Sequence, residues 1–238
     1  NVNLNHLYEG NSFTLNEVIS TADYDFKITR FQYYLSNFSI IHDGGSEAII
    51  DDSYLLINAE NNAYTLNDFT GVANVEKIKF HFGVDEVANH DDPAQYASSH
   101  ALAYQSPSMH WGWSGGYMFA VVEGVVDLNK DGNFDIFFDF MPVQDKYYTE
   151  LNMVVDDVIS SGAITFNIDV RIDNWISGFD LSTIGINHGI NTNLGSFSDV
   201  VTRQVFYTEG TVDVAYKTHN VGFEILNNGK SPEIVTDF

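Results

Sequence analysis

Between Asn89 and Gly116 the chain reads NHDDPAQYASSHALAYQSPSMHWGWSGG, and most of its distinctive chemistry lies there. The stretch holds His90, His100 and His110 of eight histidines, and Trp111 and Trp113 of three tryptophans. A long loop this dense in imidazole and indole is costly to order unless it has a task. Histidine is the commonest protein ligand for borderline metals, so the first chemistry to consider is metal binding. An intact indole is not a metal ligand; it supplies a donor only after oxidative ring opening. The bland alternative is that the tryptophans cap a core while the histidines face water. Trp111 and Trp113, two residues apart, share one side of an extended segment, which predicts an ordered loop with at least one indole buried.

A second group of donors lies just downstream. Asp127, Asn129, Asp131 and Asp135, with Asn133 between them, occupy alternate positions around Gly132, the spacing of a loop that curls around Ca²⁺. The bidentate Glu that closes such a loop is missing, since Phe138 stands in its place. The competing reading is a hairpin turn, for which Asp131-Gly132 is a favoured choice. Enzyme signatures are thin: the chain has no G-x-S-x-G, H-E-x-x-H, Walker or G-x-G-x-x-G motif, and the expectation is a protein that is not an enzyme.

Composition narrows the partners. Ten Lys and Arg stand against 33 Asp and Glu, a net charge of −23 that argues against nucleic acid and anionic membranes and favours cations. The absence of cysteine removes disulfides, thiolate metal sites and thiol nucleophiles. No apolar run approaches the roughly 20 residues that span a bilayer, so no membrane insertion is expected. The chain opens on polar Asn1 without a basic leader, so a signal peptide would already have been removed or lies outside this sequence. Protein partners are not legible.

The elements that must position these donors read as strands. Period-two alternation marks residues 163–172 and 75–82. Residues 26–40 form a longer strand whose parity slips near Arg30, the signature of a bulge. Further strands are expected at 53–58, 117–126, 134–141, 148–155, 209–216 and 221–226, with short helical pieces at 92–97 and 196–206. Turns such as Asp43-Gly44-Gly45 separate them. With 44% hydrophobic and 14% aromatic residues there is material for one large core. The expected fold is all-β: a single antiparallel β-sandwich over residues 1–238, with long loops at one end. Trp175 reads as a packing residue.

The motifs also carry a family resemblance. N-H-x-D-P-A-x-Y from Asn89, a second histidine, then M-H-W-x-W-x-x-G-Y-x-F from Met109 are similar to the MbnP-like copper-binding proteins of bacteria. The order of Val2-Asn3-Leu4-Asn5 with His6, Arg30 to Asn37, Ser53 to Ile57 and Phe82 to Asp85 fits the same family, covering residues 1 to about 145 well. The resemblance implies an exported all-β protein of the periplasm or cell surface that acquires or handles copper. In some members histidine and an oxidised tryptophan hold the metal. By this route the candidate copper ligands are His6, His90, His100, His110, His188, Trp111, Trp113 and Met141. Met141 marks a departure: the family's aromatic-x-aromatic-His run is here Phe138-Asp139-Phe140-Met141, so a thioether stands where an imidazole is expected. Either His188 or His6 can supply the replacement. The alternative function is a carbohydrate-binding or adhesion sandwich in which Tyr96, Tyr104, Trp111 and Trp113 stack on sugars.

Overall fold

A computed structural model describes residues 1–112, 114–159, 162–189 and 223–225. In chain order the strands are β1 (Val2–Tyr8), β2 (Asn11–Ser12), β3 (Ile19–Ser20), β4 (Asp25–His42), β5 (Ser46–Ile49), β6 (Tyr54–Asn58) and β7 (Ala63–Tyr64). They continue with β8 (Asn74–Phe82), β9 (Ala120–Asp127), β10 (Ile136–Pro142), β11 (Thr149–Val158), β12 (Phe166–Arg171), β13 (His188–Gly189) and β14 (Phe223–Ile225). Two single-turn helices, α1 (Glu86–Asn89) and α2 (Ile172–Trp175), complete the regular elements used below. The expected helix at 196–206 and strand at 209–216 lie outside the described residues, as does Trp113.

The architecture is an all-β sandwich. The larger sheet runs β11-β8-β4-β9-β10-β13, with β3, β5 and β6 also on β4; the smaller runs β14-β12-β1-β2, with β7 on β1. Most pairs are antiparallel, as expected, but β1 with β12 and β10 with β13 run parallel. Strand alternation builds the interior: Val2, Leu4 and His6 of β1 are buried, His6 meets the Phe31 and Tyr33 rings of β4 edge-on, and Trp175 of α2 packs on the same two rings. The parity slip near Arg30 is a bulge, since the β4–β9 register shifts between Ile28 and Arg30. Among the described residues no helix is long and apolar enough to cross a membrane.

β4 positions the loop. One edge pairs first with β9, along Asp25 to Tyr33, and then with β8, along Leu35 to His42. At the fork, Gly83 N–H donates to the Tyr34 carbonyl and Tyr34 N–H donates to the Phe119 carbonyl. The loop therefore leaves and re-enters the sheet at a single point. Its residues cover the outer face of β4, which explains why Tyr33 and Tyr34 are both buried although they point to opposite faces. Tyr34 Oη donates to the Ala101 carbonyl, and the Tyr34 and Tyr117 rings meet edge to face.

Candidate metal centre

Along β10, Phe138 and Phe140 alternate with Asp139 and Met141, so the latter pair shares one face. β13 joins this strand in parallel and sets Met141 opposite His188. Directly opposed residues project to the same side of a sheet. The geometry agrees, because His188 Nε2 lies 2.7 Å from Asp139 Oδ2. Asp139 is buried, and its other oxygen accepts the Asn187 N–H at 2.6 Å.

Trp111 reaches the same place from the loop. Residues 109–112 and 114–118 pair as the arms of a small hairpin, in which Trp111 N–H donates to the Gly116 carbonyl and Met118 N–H to the Met109 carbonyl. Phe119 N–H donates to the Pro142 carbonyl, and Met118 bridges Val143, which hangs the hairpin beside the end of β10. The Trp111 ring then stands edge-on to His188, with centroids 4.9 Å apart and planes at 79°. The indole is 42% exposed and the His188 side chain 36%, so the cluster opens to solvent. Trp111 packs across a rim and not into the core; Trp113, the other indole of which one was expected to be buried, lies outside the described residues.

Most of the loop's other distinctive residues hold it in place. Asn89 is wholly buried; its Oδ1 accepts Tyr117 N–H and its Nδ2 donates to Asp145. Gly116, at φ +70°, lies so close to Asn89 that a Cβ would sit 2.4 Å from its Oδ1. Asp92 caps the 3-10 turn Pro93–Gln95. Arg30 reaches the Ser108 carbonyl and the Met109 sulfur.

The structure disperses the proposed imidazoles. His90 pairs with Asp145 and His100 with Asp52, each at 3.1 Å. His100 is also stacked on Tyr96 at 4.6 Å, which covers a tyrosine face that sugar binding would need. His110 accepts Gly112 N–H through Nδ1 and packs edge-on to Tyr117, while Trp111, its neighbour in an extended segment, faces the other way. Desolvation lowers the His110 pKa, and its Nε2 is buried without a hydrogen-bond partner among the described residues. His6 lies in the core, its Nε2 3.2 Å from Tyr33 Oη, and burial pulls its pKa down to about 4. Among the described residues no three His, Asp or Glu side chains are grouped to hold a metal ion. His188 and Met141 are the two expected donors brought into register, with Trp111 beside them.

The calcium expectation meets a braced turn. Both Asp127 oxygens accept backbone N–H groups, from Asp131 and Gly132, and Asp131 accepts from Asn133 and from the Asn129 amide. The Lys130 ammonium donates to the Thr21 carbonyl and lies 3.5 Å from Asp25, the residue opposite Asp127 on β4. A protein cation thus supplies positive charge at this acidic turn, and no hydrogen bond draws Asp135 to the others among the described residues. The turn joins β9 to β10, and its braces are of the kind that calcium loops and Asp-braced hairpins share.

The MbnP family profile matches residues 1–193, most of the chain. The chain belongs to the MbnP family. A structure of MbnP from Methylosinus trichosporium superposes with a TM-score of 0.52 at 12% identity, covering 92% of this chain and 91% of that one. Comparison with curated proteins returns no match. At 12% identity the MbnP structure supports the sandwich and says nothing residue by residue about the rim. Sequence reasoning missed Asp139 and Asn187, which shape this part of the MbnP fold. The signal was available: an Asp between two core phenylalanines needs a partner.

Proposed function

We propose that this chain binds copper in the cuprous state at the rim formed by His188, Met141 and Trp111, and acts outside the cytoplasm in copper acquisition or handling and not in catalysis. The observation that carries the reading is the register of β10 and β13. It sets an imidazole opposite the thioether that replaces the expected family histidine, with an indole against that imidazole. The donor chemistry fits copper(I), which accepts imidazole and soft sulfur ligands. His188 and Met141 would hold the ion, and the partly exposed Trp111 would shield it while leaving a path to solvent. The large negative charge favours cation approach. Export is supported by the family resemblance, and secretion of the full-length gene product from a bacterial host tests it.

The binding test is an anaerobic titration against a chromophoric copper(I) chelator. The wild type is expected to withdraw one equivalent of metal. His188→Ala should weaken binding by at least about tenfold, whereas His110→Ala should leave it within about twofold. Failure of the wild type to compete, or loss of binding in His110→Ala but not in His188→Ala, overturns the reading.

A further inference from the structure

We infer that Asp139 is a positioning residue: it fixes His188 as the Nε2–H tautomer and so makes Nδ1 the nitrogen offered to a metal. The inference rests on the copper reading for its purpose, but the tautomer itself is a property of the metal-free protein. A carboxylate in this position only accepts, so the imidazole nitrogen 2.7 Å away carries the proton. A neutral imidazole has one N–H, and Nδ1 therefore keeps its lone pair.

The carboxylate is itself held. Its side chain is 2% exposed, and Oδ1 accepts Asn187 N–H at 2.6 Å, which orients Oδ2 toward the ring. Asn187 secures the segment by donating its amide to the carbonyls of Asp139, Ile184 and Gly185. Backbone bonds from Asp139 N–H to Gly185 and from Met141 N–H to Asn187 lock strand and segment together. A buried carboxylate is costly unless its lone pairs are used, and here both oxygens are. A carboxylate bonded to one imidazole nitrogen, with the lone pair kept on the other, is the arrangement by which proteins orient metal-binding histidines.

Asp139→Asn separates this role from a structural one. The amide oxygen can still accept Asn187 N–H, which turns the amide NH₂ toward His188 Nε2. That nitrogen must then accept, and the proton moves to Nδ1. Long-range ¹H–¹⁵N correlation spectra of the metal-free proteins, recorded near pH 8 where histidine is ordinarily neutral, read the tautomer directly. The wild type should show His188 protonated at Nε2 and Asp139→Asn at Nδ1, with copper(I) affinity reduced about 10–100-fold in the variant. A wild-type His188 protonated at Nδ1 overturns the proposal whether or not the variant folds. A folded variant with an unchanged tautomer, or with the changed tautomer and undiminished affinity, overturns it as well. If the wild type shows the Nε2–H tautomer yet binds no copper, the tautomer assignment stands and the metal reading falls.

Discussion

Two neighbourhoods of this molecule join a tryptophan and a histidine, and they have opposite characters. Between the sheets, Trp175 packs on Phe31 and Tyr33, and the Tyr33 hydroxyl meets His6; all four residues are buried. At the rim, Trp111 stands against His188, both are partly exposed, and the imidazole is bonded to a carboxylate. In the first place the residues fill space. In the second they stand open to solvent, with one imidazole nitrogen turned to a buried carboxylate. Residue type alone does not separate the two; burial and the partner of the second nitrogen do.

The largest contrast should appear on truncating the two indoles. Trp175→Ala removes a wholly buried side chain and is expected to cost about 3–5 kcal/mol of unfolding free energy. Trp111→Ala should cost less than about 1 kcal/mol. Urea denaturation at neutral pH compares them, and similar losses would erase the distinction between core and rim.

The next largest effect concerns protons. Because His6 is held near pKa 4 against an ordinary 6.5, the unfolded chain binds the proton more tightly than the native one. The stability conferred by neutral His6 is therefore full above about pH 6.5 and lost as pH falls toward 4. The loss amounts to about 3 kcal/mol over that window. His6→Gln, which cannot titrate, should flatten this part of the pH–stability profile measured by urea midpoints. Equal slopes in both proteins would contradict the assignment of His6 to the core.

A smaller effect tests how the rim is held. Gly116→Ala adds a methyl group against Asn89 at a left-handed backbone position and should cost about 2 kcal/mol. Its hydrogen-exchange protection should fall first at Trp111 and Met118, whose N–H groups close the hairpin. Uniform loss across the sandwich would mean that the hairpin and core unfold as one unit.

Much of this was legible in the sequence because it follows from local alternation. The bulge in β4 was visible as a slip in parity at Arg30, and Trp175 was readable as packing. The placement of His6 was equally available, since it shares parity with Val2 and Leu4, yet its imidazole drew attention as a ligand instead. The rim was not legible. His188 and Asp139 lie 49 positions apart and meet only through a two-residue parallel strand, which leaves no periodic trace. Met141 reads from the sequence as a thioether in the place of an imidazole, with nothing to show which residue its strand sets opposite it. The acidic turn at Asp127 fits either reading, because calcium loops and Asp-braced hairpins use the same residues to bind backbone N–H groups.

A copper site proposed on His188 and Met141 together requires one ion to touch both nitrogen and sulfur. X-ray absorption at the copper edge of the Cu(I)-loaded protein tests it most directly. The expected coordination shell contains both nitrogen and sulfur, with the sulfur component lost in Met141→Leu and retained in His110→Ala. A shell of nitrogen and oxygen alone, or one unchanged by Met141→Leu, would contradict it.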